Sequence, residues 1–374
     1  MKRDLGFRSS VEVSAIVSTY NAAQYMRGCL DDLVAQTHYQ AGKAEILIID
    51  CNSPANEGDI VREYQQAYPR ITYVRITERE TLAGAWNIGV KYAEGEFVTN
   101  ANTDDRHHPE CLERHAAELR RHASIDLVYA DVFQSKIPNE AFQDNKQTIL
   151  YRYKPYFAPE VLFNYQFGCQ PMWRASVHDK IGLFNRDLKA ASDYEFNYRF
   201  ALAGCRAKHI QEPLGLFLER DDSLSQGDKT STDEQGALRK RYISPENILK
   251  LYESEGWEVS SSAGQLEAFH DLSIRASGFE FPWHPGRRFQ DPEVALVALT
   301  AAIQLDEKNP VLLNNLAATL YGIGQRDDVQ AIYSRLQGAQ CPEVVQQNIV
   351  RLQAGGERVE LQLCMSLTYS DAQK

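Results

Sequence analysis

Short apolar runs alternate with helix-length segments over the first third of this chain, and that alternation limits the fold more than any other feature. Val11 to Val17 reads as a strand, Glu45 to Ile49 as a second with no polar break after its first residue, and Ile71 to Ile76 as a third. A fourth short run starts at Glu96-Phe97-Val98 and stops at Asp104-Asp105. Ala22 to Gln36, Ala55 to Ala67, Leu82 to Ala93 and Pro109 to His122 supply the helices between and after them. A continuous apolar strand is the kind buried on both faces of a parallel sheet. Repeated βα units joined by right-handed crossovers therefore predict an α/β, doubly wound, mostly parallel sheet.

The strands end in polar clusters. Ser18, Thr19 and Tyr20 follow the first, Asp50 and Ser53 the second, and Asn102, Asp104 and Asp105 the fourth. In an open α/β sheet, ligands gather outside the carboxyl ends of the strands. A carboxylate pair there can hold a hard divalent cation that keeps substrate phosphates among its ligands. Read alone, the pair also suits a cap for the helix beginning near Pro109; three polar strand ends at one rim favour the site.

Five motifs in order resemble those of family 2 glycosyltransferases, which are inverting enzymes of the GT-A fold. They are Val13 to Asn21, Ile48 to Ser53, Trp86 to Phe97 with its Asn-Ile-Gly-Val and Ala-Glu-Gly-Glu-Phe segments, Asn102 to Asp105, and Ser192 to Phe196. The resemblance covers roughly residues 11 to 230. It implies that Tyr20 and Asp50 border the nucleotide base, that Asp104 lies near ribose and diphosphate, that Asp105 ligates Mg²⁺ or Mn²⁺ with Asp104 beside it, and that Asp193 is the catalytic base. Ser18, Thr19, Ser53, Asn87 and Asn102 complete the implied nucleotide-sugar set, with Arg79 as a phosphate contact. Similar enzymes place an Arg and a Ser near the diphosphate after a later strand, which points to Arg220 and Ser223. Two positions depart from the pattern. Cys51 stands where many members carry a uracil-facing Asp, and a thiol is a poor acceptor for an imide N–H. Trp86 stands where an Arg often precedes the Asn.

The implied reaction explains these residue types. A bound divalent ion stabilises charge on a departing diphosphate, and a positioned carboxylate takes the proton of the attacking hydroxyl. Asp193 opens a helical pattern carrying Phe196, Phe200 and Ala203 on one face, near a helix N-terminus that favours its ionised form. Between residues 151 and 173 lies a dense run of Tyr, Phe and Trp. Most of these are expected to pack, with Gln170, Trp173 and Arg174 flanking the acceptor.

Beyond residue 230 the composition shifts. Glu234 to Glu255 reads as one amphipathic helix, and from about Asp291 the spacing of Leu316-Ala317, Leu320-Tyr321, Gly324, Ala331 and Tyr333 looks like one tetratricopeptide unit with a partial one before it. A short helix, Pro342 to Leu352, follows. The expected domains are a GT-A unit over 1–230, a helical linker over 231–285 and a tetratricopeptide-like segment over 286–374. That segment either caps the catalytic domain or docks a protein partner or a second copy.

Forty basic against 51 acidic residues give a net charge of −11, which disfavours a nucleic-acid binder. The expected partners are a nucleotide-diphosphate sugar, a UDP-sugar foremost, and a glycan, lipid-linked or protein acceptor. The seven cysteines show no metal or disulfide spacing, and no apolar run approaches the ~20 residues of a membrane span. His107 and His108 are expected at a helix start rather than on zinc. These features suit a cytoplasmic protein, peripheral at the inner membrane face if membrane-associated. The rival reading from another class is a non-catalytic sugar-nucleotide-binding scaffold that uses its helical tail for docking.

Overall fold

The computed structural model describes residues 11–220, 230–337, 340–354 and 361–367. They form two compact units. Tyr165–Leu238 joins the residues up to Tyr156 in the first, and Phe157–Asn164 joins those from Arg239 onward in the second.

In chain order, the first unit opens with β1 (Val13–Thr19), α1 (Ala23–Val34), α2 (Thr37–Gln40), β2 (Ala44–Asp50), α3 (Glu57–Gln65), β3 (Ile71–Arg75), α4 (Leu82–Tyr92) and β4 (Phe97–Asn100). It continues with β5 (Arg106–His107), α5 (Cys111–Arg121), β6 (Leu127–Ser135), β7 (Leu150–Tyr151), β8 (Met172–Arg174), α6 (Val177–Ile181), α7 (Ser192–Leu202), β9 (Ala207–Leu218) and most of α8 (Thr230–Tyr242), whose last four residues belong to the second unit. One sheet runs β3-β2-β1-β4-β8-β6-β9-β5, with β7 on β6. Its first four strands are parallel, and β8 enters antiparallel between β4 and β6.

All seven residues of β2 are buried, as a strand covered on both faces requires. Met26, Leu30 and Leu33 of α1 and Leu112 and Leu119 of α5 pack with Ile46 and Ile48 in one core. Register then sets the rim. Thr19 pairs with Asp50, and Asp50 with Arg75, so three strand ends finish level. Asn100 pairs lower, with Ile16, so residues 101–105 continue past the end of β4 toward that rim.

Beneath the rim lies a buried polar knot. Ser14 donates to Glu45 (2.6 Å), which also accepts the Glu94 N–H (2.8 Å), while the Gly95 N–H donates to the Ser14 hydroxyl (2.9 Å). Gly95 is needed for close approach: a Cβ there would meet three backbone atoms, Ser14 N, Glu12 O and Phe97 O, at 2.7 to 2.9 Å.

The second unit is helical: α9 (Pro245–Ser254), α10 (Ser262–Ala276), α11 (Pro292–Leu305), α12 (Pro310–Gly322), α13 (Arg326–Leu336) and α14 (Glu343–Ala354). The single helix expected over 234–255 is broken. Ser244 is extended and its hydroxyl caps the Asn247 N–H, with Pro245 in the first turn of the next helix. The residue before a proline avoids helical geometry, so α8 ends where α9 begins anew. Residues 361–367 lie along α12 and α14. Asn314 and Asn348 both donate to the Gln362 carbonyl (3.0 and 2.7 Å), and Asn315 donates to that of Cys364 (2.9 Å). No helix among the described residues is long and apolar enough to cross a membrane.

Because backbone atoms cannot yield as a flexible side chain can, Gly95→Ala is expected to destabilise the first unit by about 1–3 kcal/mol. A lowered midpoint in urea unfolding with an unchanged slope is the expected signature; an unchanged midpoint would contradict the packing described.

Candidate active site

At the first rim, Tyr20 is 40% exposed and carries the Arg79 guanidinium 4.2 Å above its ring. Thr19 is buried with an unpartnered hydroxyl oxygen, and Ser18 beside it is half-buried. Asp50 does not face outward. One carboxylate oxygen accepts the Ser53 N–H (2.7 Å), and the other takes the Tyr73 hydroxyl and the Arg75 guanidinium (2.9 Å). Ser53 is likewise internal, accepting the Asn21 N–H at 2.7 Å and pairing with Glu57. Both therefore position the turn instead of touching a base. The group they present is Arg75, whose guanidinium also reaches Asn52 Oδ1 (3.1 Å) and Ser53 O (2.9 Å) while staying 44% exposed. Sequence reasoning missed it, although it is the last residue of a strand whose partner strand ends in Asp50.

The carboxylate pair is divided. Asp105 is 2% exposed, and its oxygens accept the Leu218 N–H (3.1 Å) and the Asn102 amide (3.0 Å). Burial and the charge of Asp104 push its carboxyl upward. Asp104 is half-open and pairs with Arg220 at 2.9 Å. Both oxygens of Asp105 thus accept a hydrogen bond inside the protein, and Asp104 is the more exposed carboxylate of the pair. Asn102 is a positioning residue for the same reason. Among the described residues no group of three or more His, Cys, Asp or Glu could enclose a metal. One accessible carboxylate fits Mg²⁺ or Mn²⁺ when substrate phosphates and water complete the shell. Arg220 also sits 5.2 Å over the Tyr25 ring. Ser223 lies outside the described residues. His107, expected at a helix start, instead closes β5 and is bonded to Asp32 (2.7 Å), while His108, just before α5, accepts the Glu110 N–H (3.1 Å).

Asp193 is the second residue of α7, and one oxygen accepts the Tyr194 N–H (2.8 Å). Burial raises its carboxyl to about 6, against the pull of nearby backbone N–H groups. The segment before it is held by Glu234, whose carboxylate accepts the N–H groups of Lys189, Ala190 and Ala191 at 2.8 to 3.0 Å. Tyr165 and Tyr194, with ring centroids 5.1 Å apart, both feel the Asp193 charge. Glu195, the other carboxylate of this helix turn, is buried against Arg199 (2.6 Å) and unavailable as a base.

The expected acceptor set is not assembled. Gln170 is buried and donates to the Arg106 carbonyl (2.9 Å). Trp173 is a core residue bonded to His178 (3.0 Å). Arg174 reaches the carbonyls of Ile125 and Leu119 and pairs with Glu96 (2.9 Å). They lie on or beside β8, inside the sheet, where packing and backbone bonds occupy them. Asn87 is similarly engaged: its amide exchanges two hydrogen bonds with the backbone of Phe184 (2.8 and 2.9 Å).

Asn87→Ala would leave a buried N–H and carbonyl of Phe184 unpaired, so a stability loss of about 1–3 kcal/mol is expected. Thermal unfolding of the purified variant measures it, and a melting point equal to wild type would argue against the clamp.

Residues 14–182 match the family model described as Glycosyl transferase family 2. The uncharacterised glycosyltransferase EpsJ of Bacillus subtilis is 24% identical over 240 residues, 62% of this chain and 67% of its own. The poly(ribitol-phosphate) beta-N-acetylglucosaminyltransferase TarS of Staphylococcus aureus is 25% identical over 279 residues, 71% of this chain but only 43% of its own. The crystal structure of TarS 1–349 shares the fold at a TM-score of 0.52 and 16% identity, covering 88% of this chain and 92% of that one. With its strand order and its acidic strand end, the first unit of this chain carries the segment that matches the family 2 glycosyltransferase model, on a sheet that shares the fold of TarS, and a helical region follows.

Proposed function

We propose that this chain transfers a sugar, with inversion, from a nucleoside-diphosphate donor, a UDP-sugar foremost, to a hydroxyl of a glycan, lipid-linked or protein acceptor. The observation that carries the reading is a small cavity lined by both Asn100, the last residue of β4, and Asp193. It sets Asp193 beside the last residue of β4, four positions before Asp104, which supports a base next to the proposed nucleotide end. Asp104 would hold Mg²⁺ or Mn²⁺, which when bound supplies Lewis-acid stabilisation of the leaving diphosphate. Arg220 faces the same charge. Asp193 accepts the proton of the acceptor hydroxyl as its oxygen bonds to the anomeric carbon, and the electrons of the broken carbon–oxygen bond leave with the diphosphate. The unpaired thiols, most of them buried, suit a reducing, cytoplasmic setting.

Asp104→Asn is expected to remove the Mn²⁺-dependent gain in UDP affinity, measured by calorimetry, while the fold persists. Equal UDP binding by mutant and wild type, with and without metal, would refute the assignment. Because Cys51 replaces the acidic residue, UDP is expected to exceed GDP, CDP and dTDP by less than about a thousandfold in competition; stronger discrimination would mean that another group reads the base.

Asp193 gives a signed pH dependence. As a base it must be ionised, so transfer should rise through about pH 6 and then level. Asp193→Asn should lose ~10²–10⁴-fold in rate at pH 8 and lose the pH step. Its effect on stability has the opposite sign. A folded pKa above the unfolded one stabilises the protein at low pH, and that contribution disappears as pH rises through about 6. The Asn variant should therefore melt higher than wild type at pH 8 and level with it below pH 4. Full transfer by Asp193→Asn would move the base elsewhere.

A further inference from the structure

Three asparagines are wholly buried in the helical unit, and their side chains are spent on a short piece of the chain's own backbone. Asn314 and Asn315 lie on α12 and Asn348 on α14. The Asn348 amide donates to the Gln362 carbonyl (2.7 Å), and its Oδ1 accepts the Gln362 N–H (3.0 Å). Asn315 repeats the arrangement two residues on, donating to the Cys364 carbonyl (2.9 Å) and accepting the Cys364 N–H (2.7 Å). Asn314 brings a second donor to the Gln362 carbonyl (3.0 Å), and His270 of α10 a second to that of Cys364 (3.1 Å). Asn314 is itself fixed, because its Oδ1 accepts from Tyr333 (3.0 Å) and from Asn348 (2.9 Å). A buried amide is costly unless it is paired, so a site that carries three is built for the groups that pair them.

Those groups are main-chain atoms, which every extended polypeptide presents. The side chains of residues 361–367 add little. Gln362, Met365 and Ser366 are exposed, Met365 by 70%, and Leu361 and Leu367 bury only in part against the helices. Of the seven, Cys364 alone is buried. A segment selected for its own sequence would be held by its side chains; this one is held by its backbone at alternate residues, with one place for a small side chain. Where a protein takes up an extended peptide, main-chain hydrogen bonds supply affinity and side-chain pockets supply specificity.

We propose that the site formed by Asn314, Asn315, Asn348 and His270 binds an extended segment of another polypeptide, one with a cysteine-sized side chain at the place of Cys364, and that residues 361–367 are its internal occupant, which the partner displaces. The inference uses none of the residues of the proposed transfer reaction and is independent of it.

Fluorescence anisotropy of labelled, end-blocked peptides titrated with the full chain under reducing conditions tests it. The parent peptide has the sequence of residues 361–367. A second keeps the Cys and the three Leu but replaces Gln, Met and Ser by Lys, Glu and Thr; a third is the parent N-methylated at the amides of its Gln and Cys. Wild type should bind all three weakly, because its own segment competes. Cys364→Arg puts a long cation where the side chain is buried, so it should expel the resident segment and raise the affinity for the first two peptides about tenfold or more. The N-methylated peptide lacks the donors to Asn348 and Asn315 and should bind that variant about tenfold or more weakly than the parent, the value of one or two buried hydrogen bonds. Gln362→Pro, which removes one of these donors from the resident segment, opens the site by a second route. Failure of both variants, folded, to bind the parent peptide would overturn the proposal, as would equal binding of the parent and N-methylated peptides. Binding of the parent but not of the second peptide would confine the site to this chain's own segment, from the same or a second copy, and would overturn the assignment to another polypeptide. Unfolding of both variants would make residues 361–367 part of the core and not an occupant, which would overturn it as well.

Discussion

A buried carboxylate is costly unless donors surround it, and Asp105 meets that condition by joining two distant parts of the chain. Its bond to the Leu218 N–H ties the loop after β4 to the last residue of β9. Two residues farther on, Arg220 meets Asp104. The inner pair thus sets the outer pair, like successive rungs. If the inner rung were lost, the accessible carboxylate and the guanidinium would no longer be held opposite one another, and the rim would have no fixed acidic point.

The same division of labour recurs at the second strand. Asp50 is wholly buried and never reaches solvent, yet it fixes Arg75 from the neighbouring strand by a 2.9 Å ion pair. At both strand ends, a carboxylate inside the protein decides where a cation stands outside it. Glu234 does the same with three backbone N–H groups ahead of Asp193. The more exposed groups at these places are in each case held by a carboxylate deeper in the protein or bonded to its backbone.

Much of this was legible in the sequence, and the limits have a physical cause. The strands of the parallel half were visible because burial on both faces forces apolar runs, and the rim was visible because polar residues interrupt them together. What a sequence does not display is which oxygen is already taken. Asp104 and Asp105 look alike as neighbours; their roles separate only when Leu218, 113 residues away, supplies an N–H. Asn87 looked like a ligand contact because its partner, Phe184, lies 97 positions downstream. Trp173 and Arg174 were expected to flank the acceptor, but β8 inserts between β4 and β6 and carries them inside. Glu234 read only as the start of an amphipathic helix, and its three backbone partners lie 43 to 45 positions upstream. In the helical unit, Asn314, Asn315 and Asn348 are fully buried and bind the 361–367 backbone, although asparagines in a helix ordinarily suggest its wet face.

The Asp104–Arg220 pair has a consequence for how ligands arrive. While the two face each other, a lone cation approaching Asp104 must compete with a guanidinium already in place, and a lone diphosphate approaching Arg220 must draw it from a carboxylate. Each ligand alone therefore works against an existing attraction. Arriving together they exchange partners, ion to Asp104 and phosphate to Arg220, and no charge is left unmatched. On the function proposed above, metal and nucleotide would raise each other's affinity by the same factor, since coupling between two sites is reciprocal.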